Sequence, residues 1–313
     1  MRIVFMGTPD FAVGALRAIV EAGHQVVAVV TQPDKPKGRS KELQITPVKA
    51  CALEYGIPVF QPVKIRLPEA VEQLRTYEAD VFVVAAFGQI LSEEILSMPR
   101  YGCINIHASL LPKYRGAGPI QWAVIDGEKE TGITIMQMDK GIDTGDILLQ
   151  KKVPIDAHET GESLFAKLEK TGAELIVEAL PKIERGEIKP VRQQEEKASY
   201  AKMLDKSMGE INWQESAQKL DCLIRGLISW PGAYTHYRGK TLKIWMEEPA
   251  AGWADAAYEP GTICEVAKDH FCVQTGEGAL RIREVQLEGK KRMAVKDFLL
   301  GCHMTSGEKL GEK

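Results

Sequence analysis

Residues 2–30 read RIVFMGTPDFAVGALRAIVEAGHQVVAVV. The opening run, 2–6, is rich in Ile, Val and Phe and is a strand candidate. Residues 9–22 follow as a helix, with Phe11, Leu16, Ile19 and Val20 recurring on one face. Residues 26–30, VVAVV, show no polar alternation, as expected of a strand covered on both faces. Similar buried runs recur at 80–86 (DVFVVAA), 102–107 (GCINIH) and 131–138 (TGITIMQM). Between them, 31–47 is a polar loop broken by Pro and Gly, 48–55 suggests a helix and 57–60 a short strand. Apolar strands separated by helices predict a doubly wound, mostly parallel α/β sheet over residues 1–187.

The pattern then changes. Residues 188–205 have few apolar side chains and dense charge, and read as a linker. Residues 213–227 form one amphipathic helix with Leu220, Leu223 and Leu227 on its stripe. From Gly232 onward the runs are short and bounded by turns (AYTHY, KTLKIW, GTICEV, CVQT, LRIREVQ), the mark of a small antiparallel barrel or sandwich over 206–313. Two halves of different class accord with 313 residues, since a domain averages about 150.

A chain with 44% hydrophobic and 27% charged residues can bury a core without disulfides or metals. Its net charge of −3 excludes a strongly basic, tail-driven nucleic-acid binder but not a local basic patch. Basic and acidic residues number 21 and 25 in 1–187, 4 and 3 in 188–205, and 15 and 15 in 206–313. No apolar stretch approaches the ~18 residues of a membrane span. The first apolar run is too short for a signal peptide, so a cytoplasmic chain is expected. Cys51, Cys103, Cys222, Cys264, Cys272 and Cys302 form no C-x-x-C pair and no zinc-finger spacing, so reduced thiols and no metal are expected.

Three stretches could carry chemistry. MGTPDFAVG (6–14) follows the first strand, but its glycines, Gly7 and Gly14, do not make G-x-G-x-x-G. No acid closes the second strand either, so a dinucleotide site is absent and a tight structural turn is the reading. Asn105 and His107 end a buried strand, two positions apart and therefore on one face. Such a pair can hold a developing oxyanion and manage a proton, or can be a satisfied structural histidine with its neighbour. In MDKGIDTGDIL (138–148), Asp139, Asp143 and Asp146 alternate with glycines but lack the calcium-loop ligand pattern. They mark either a turn between strands or a carboxylate set beside His107.

The run NIHASLLPKYRGAGPIQWAVIDGEKETGITIMQMDKGIDTGDIL (105–148) resembles the core of the 10-formyltetrahydrofolate-dependent formyltransferases. The ordered triplet, the SLLP turn and the DTGD tail carry that resemblance. Ala108 stands where relatives often have Gly or Pro, and is also small. MGTPDFA (6–12), TQPDKPKGRSKELQITPVK (31–49) and ISWPGAYTHYRGKTLKIW (228–245) extend the likeness to members whose amine acceptor is methionyl initiator tRNA.

The resemblance implies a Rossmann-like formyltransferase domain followed by an OB-like barrel that binds tRNA. It implies formyl transfer from 10-formyltetrahydrofolate, with no metal, by a catalytic set of Asn105, His107 and Asp143. Asn105 and His107 would stabilise the tetrahedral oxyanion, while Asp143 would orient His107 and help take the amine proton. Folate would lie beside Ser109, Leu110, Leu111 and Pro112.

Lys35, Lys37, Arg39 and Lys41 are a solvated loop by composition, and the loop that enters the tRNA acceptor end by resemblance. In the second half, Arg281, Arg283, Lys290, Lys291 and Arg292 form a possible basic stripe, with Arg281 and Arg283 on one strand face. A monomer is expected. The competing readings are a formyltransferase for a nucleotide-linked amino sugar or another small amine, and an α/β RNA-binding protein without catalysis.

Overall fold

The computed structural model describes residues 1–37, 42–250 and 258–312. The chain divides into two compact units. The first comprises Met1–Pro119, Glu130–Pro154 and Phe165–Ala201; the second comprises Ile120–Lys129, Ile155–Leu164 and Lys202–Lys313. The segment expected as a linker therefore runs to Ala201 inside the first unit.

In chain order, β1 (Arg2–Gly7), α1 (Phe11–Glu21) and β2 (Gln25–Val30) form the expected βαβ unit. A two-stranded hairpin follows, β3 (Lys35–Lys37) with β4 (Glu42–Gln44), inside the stretch expected to be a loop. Next come α2 (Pro47–Glu54), β5 (Val59–Phe60), α3 (Pro68–Arg75), β6 (Val81–Ala85), α4 (Glu93–Leu96) and β7 (Cys103–His107). They are followed by β8 (Arg115–Gly116), α5 (Pro119–Ile125), β9 (Glu130–Gln137), β10 (Ile147–Pro154), α6 (Gly161–Glu184) and β11 (Tyr200–Ala201).

Seven strands make one sheet in the order β10-β9-β7-β6-β1-β2-β5. The ladders from β5 to β7 are parallel; β7–β9 and β9–β10 are antiparallel. The run at 131–138 is thus a buried strand, as its composition predicts, but reversed, because burial carries no sign of strand direction. The outer strand β10 exposes Lys151 and Lys152, which discourage pairing at the sheet edge.

Alternation puts Val4, Met6, Ala28, Val30, Phe82, Val84 and Cys103 in one apolar cluster with Ile65, Val71, Leu74 and Ile95. Asn105 and His107 lie on the Cys103 side of β7. Ile106 points the other way, and α6 reaches it closely at Gly172, where a Cβ would stand 3.1 Å from Ile106 Cγ2. Gly7 has the same role at the end of β1: a Cβ there would meet Ala12 Cβ at 2.7 Å and Ala85 O at 3.0 Å. The turn at 6–14 is therefore a packing turn.

In the second unit, Ser216 caps α7 (Ala217–Leu227), its hydroxyl accepting from Lys219 N at 3.2 Å. Leu220, Ile224 and Leu227 are the buried stripe, while Leu223 is only partly buried. Trp213, expected within this helix, precedes it and donates its indole N–H to Thr235 Oγ1 at 3.0 Å. Then come β12 (Ala233–Tyr237), β13 (Lys240–Pro249), β14 (Ile263–Val266), β15 (Phe271–Gln274), β16 (Ala279–Leu287), β17 (Met293–Ala294) and α8 (Val295–Gly301). They form the expected antiparallel sheet, ordered β12-β13-β16-β15-β14 with β17 on β16. No ladder joins β12 to β14 among the described residues.

Between α7 and β13, Arg225 bridges Asp221 at 2.7 Å, and both side chains are nearly buried. Glu247 of β13 faces this pair, and its Oε1 has no hydrogen-bond partner. Burial, together with repulsion from Asp221 and despite attraction from Arg225, pushes the Glu247 carboxyl up to about 8. The folded state then keeps a proton that the unfolded chain releases near 4.5, so stability falls as pH rises from 4.5 to about 8. Glu247→Gln is expected to flatten that fall in urea denaturation series across this pH range; an unchanged slope would contradict the assignment.

Candidate active site

His107 is the last residue of β7, 6% exposed, with the half-buried Asn105 two positions before it. The chain then turns sharply through Ser109, Leu110, Leu111 and Pro112, and two neighbouring strands brace that turn. Thr134 of β9 donates its hydroxyl to Ser109 O at 2.6 Å and accepts from Leu111 N at 3.1 Å. Gln150 of β10 donates to Leu111 O and to Thr134 Oγ1, both at 2.9 Å. The buried Ser109 hydroxyl donates to Lys113 O at 2.6 Å. The turn is therefore held from inside, and it fixes where the chain comes back past His107.

Tyr114, at φ +60°, places its carbonyl 2.9 Å from His107 Nε2. A carbonyl only accepts, so this contact assigns the proton to Nε2 and leaves Nδ1 toward Asp143. His107 Nδ1 lies 3.6 Å from Asp143 Oδ2, with the carboxylate only 16% exposed. Asn105 Nδ2 lies 3.4 Å from the other oxygen, Oδ1. The backbone N–H of Gly116 donates to Asp143 Oδ2 at 2.8 Å. Gly116 has φ +108°, and a Cβ there would stand 2.8 Å from Ala201 O, so glycine is required. The fold thus brings together Asn105, His107 and Asp143.

Asp143 sits in the loop after β9, at φ +54°, a backbone region that Asp tolerates better than most residues. Asp139 Oδ1 accepts from Gly141 N at 3.0 Å and Thr144 Oγ1 at 2.6 Å, which tightens the loop. Gly145 presses on the end of β9, where a Cβ would lie 1.8 Å from Gln137 O. A pocket of about 190 Å³ opens beside Asp143, with Ile90, Leu91, Leu96, Met136, Met138 and Ile142 supplying apolar walls and Gln89 and Asp139 polar ones. Ser109, Leu110, Leu111 and Pro112 do not line it.

Four residues of this site have no local sequence signal. Thr134, Gln150, Gly116 and Gln193 act through contacts that only the fold creates. Arg115 is fully buried, donates to Gln193 Oε1 at 3.1 and 2.9 Å, and pairs with Glu195 through two bonds of 2.8 Å. Glu195 keeps the Arg115 guanidinium firmly protonated, and Arg115 in turn holds the Glu195 carboxyl below the usual range.

Of the predicted basic residues, Lys35 is exposed on β3, whereas Arg39, Lys41 and the side chain of Lys37 lie outside the described residues. The base of that hairpin is tied by Asp34, whose carboxylate accepts from Lys49 and from Gln61 Nε2 and is held below its usual range chiefly by Lys49. In the second unit, Arg281 and Arg283 share Glu248 Oε1 at 3.0 and 2.9 Å, and Arg283 also reaches Asp269 at 3.1 Å. Arg292 pairs with Glu284 and stacks 4.7 Å over the Trp245 ring, while Lys290 and Lys291 are exposed. The expected stripe is thus partly neutralised by its neighbours.

The described cysteines are unpaired thiols. Among the described residues, Glu265, His270 and Cys272 of the second unit place possible metal-ligand atoms within 4.8 Å. There the Cys272 thiol donates to Glu265 at 3.4 Å and His270 Nδ1 lies 2.9 Å from Asp269. No helix among the described residues is long and apolar enough to cross a membrane.

Residues 1–180 match the formyl transferase family, and residues 203–303 match the formyl transferase C-terminal domain. The chain belongs to this family. It is 57% identical over 307 residues to the methionyl-tRNA formyltransferase of Agathobacter rectalis, covering 98% of each chain. It is 56% identical over 315 residues to the methionyl-tRNA formyltransferase of Lachnospira eligens, covering both chains fully. Among solved structures, it resembles a Helicobacter canadensis N-formyltransferase in complex with folinic acid and dTDP-3-aminofucose. That match has a TM-score of 0.66 and 19% identity, over 93% of this chain and 99% of the other. HypX from Aquifex aeolicus in complex with tetrahydrofolic acid matches with a TM-score of 0.62 and 18% identity, over 96% and 47%. At such low identity these two establish the fold alone.

Because a side chain at 145 cannot fit against Gln137 O, Gly145→Ala is expected to displace the Asp143 loop. Formyl transfer should then fall at least ~tenfold, on the scale expected when reacting groups are misplaced by about 1 Å. A variant with unchanged turnover would show that the loop tolerates the shift.

Proposed function

We propose that this protein is a cytoplasmic monomer that transfers the formyl group of 10-formyltetrahydrofolate to the α-amino group of methionine esterified to initiator tRNA. The observation that carries the reading is identity of 57% and 56%, over essentially whole chains, to relatives named for that reaction. The site supports it, because Asn105, His107 and Asp143 converge at the end of β7 beside an apolar pocket.

Transfer needs a neutral amine. Its lone pair attacks the formyl carbon, the C–N bond forms, and the carbonyl electrons move onto oxygen. Asn105 has an N–H to offer that oxygen, and preorganised donors of this kind stabilise such an intermediate by about 3–4 kcal/mol each. Asp143 and the Nδ1 edge of His107 face one another, so the proton lost by the amine has an acceptor there. A proton on Nδ1 leaves an imidazolium held between the Asp143 carboxylate and Tyr114 O. Collapse of the intermediate then breaks the bond to N10 of the folate, which takes up a proton as it leaves.

The apolar pocket beside Asp143 suits the flat bicyclic end of the folate. The turn of Ser109, Leu110, Leu111 and Pro112 fixes the main chain that follows His107. Lys35, Lys37, Arg39 and Lys41 would meet the acceptor end of the tRNA. Lys290 and Lys291, exposed in the second unit, and the aromatic-backed Arg292 supply phosphate contacts, with Arg281 and Arg283 beside Glu248.

An amino-sugar acceptor is the second reading, favoured only by the fold of remote neighbours. Parallel assays with charged initiator tRNA, uncharged tRNA and a dTDP-amino sugar separate the two. Formylation of the sugar nucleotide alone would overturn the proposal. His107→Ala is expected to retain the folded state and lose at least ~hundredfold in kcat, the usual scale for removing an acid–base group. Near-normal formylation would remove His107 from the chemistry. Arg39→Ala should raise KM for methionyl-tRNA while folate binding stays unchanged. An equal loss of folate affinity, measured by titration, would count against a tRNA role.

A further inference from the structure

The chain between α6 and the second unit has a composition that predicts a solvated linker, yet hydrogen bonds tie it to the strands and the loop around Asp143. Val191 exchanges two backbone hydrogen bonds with Ile147, at 2.8 and 2.9 Å. Ser199 accepts from Arg115 N at 2.8 Å through its carbonyl and from Tyr114 N at 2.9 Å through its hydroxyl. Ala201 O accepts from Ala117 N at 3.0 Å, beside the short β8–β11 ladder. Between these ties, the Gln193 side chain is 5% exposed and reaches into the loop that holds Asp143.

Gln193 Nε2 donates to Asp143 O at 2.8 Å and to Gly145 O at 2.7 Å, while Oε1 accepts from Arg115 Nε and Nη2. Both carbonyls only accept and the guanidinium only donates, so the orientation of the carboxamide is fixed by its partners. Both of its N–H groups are used, and its oxygen takes two bonds. A buried amide satisfied this fully is rigid, because any rotation strands a donor or an acceptor at about 1–3 kcal/mol.

Its grip falls where the loop most needs one. Asp143 is at φ +54°, and Gly141 and Gly145 flank it within two residues. Asp139 ties Gly141 N and the Thr144 hydroxyl, but the glycines on either side of Asp143 still permit several main-chain conformations there, each aiming the carboxylate differently. Binding the carbonyls on both sides of Thr144 selects one of them.

We propose that Gln193 is a positioning residue for formyl transfer. Through it, the strap from Val191 to Ala201, anchored by Arg115 and Glu195, sets the angle at which Asp143 meets Asn105 and His107. The inference rests on the reading of Asp143 as a catalytic carboxylate. Gln193 itself touches no reacting atom.

Steady-state kinetics of the full-length protein with 10-formyltetrahydrofolate and methionyl-tRNA test this. Gln193→Glu preserves shape and the acceptor toward Arg115 but turns a carboxylate oxygen toward two carbonyls. It is expected to lower kcat by ~10- to 100-fold, as a displaced catalytic group does, with both KM values within about twofold of wild type. Glu195→Gln changes a side chain that is 67% exposed, so it preserves folding while loosening Arg115. It should lower kcat several-fold, again without a change in KM, and serves where Gln193→Glu does not fold. Wild-type kcat in either folded variant, or a loss confined to KM, overturns the positioning role. Asp143→Ala is measured alongside. If it is inactive while Gln193→Glu is normal, only the strap fails; if it is active, the reading of the site fails as well.

Discussion

The arrangement depends on holding one nearly buried carboxylate in a left-handed loop. A carboxylate that water reaches poorly needs a donor or a cation within reach of its oxygens. Gly116 N–H supplies a charge-assisted bond to Oδ2, Asn105 Nδ2 stands 3.4 Å from Oδ1, and His107 Nδ1, 3.6 Å from Oδ2, becomes a donor once it takes up a proton. Neither of these last two is a short hydrogen bond. Long catalytic contacts of this kind in a substrate-free site tighten when substrate arrives. Much of the surrounding structure follows from that requirement. The glycine at 116 lets β8 approach Ala201, the glycine at 145 lets the loop close on β9, and Tyr114 turns back to fix the tautomer of His107.

Charge is arranged locally in the same way. A net charge of −3 says nothing about where a polyanion would bind. The basic residues of the second unit are balanced by acidic residues on adjacent strands, with Glu248 serving both Arg281 and Arg283. Exposed ion pairs of this kind contribute little to stability, about 0–1 kcal/mol each, and can be exchanged for phosphate contacts at small cost. They hold the guanidinium groups of Arg281 and Arg283 on one carboxylate oxygen of Glu248.

The buried runs at 2–6, 26–30 and 80–86 fall inside β1, β2 and β6 to within a residue or two, because a strand covered on both faces leaves an unbroken apolar record. Direction left no such record, so antiparallel β9 was legible as a strand and not as a reversal. The hairpin of β3 and β4 was hidden in Pro and Lys, and β10 by its exposed lysines. At the site, period two alone put Asn105 and His107 on one face. Asp143 entered through resemblance, since it lies 36 positions after His107 and no local pattern spans that distance. Gln193 was invisible because polar, charged composition reads as solvated chain unless its partners are known. Its partners lie 48, 50 and 78 positions away.

The Asp143 carboxylate, held against Asn105 and His107, is proposed to manage the proton in formyl transfer. Single-turnover formylation of methionyl-tRNA by Asp143→Asn, at saturating 10-formyltetrahydrofolate, tests it most directly. Asparagine keeps the shape and the contact to Gly116 N–H but loses the charge. The expected rate is at least ~hundredfold slower than wild type, with folate affinity unchanged. A rate within threefold of wild type would contradict it.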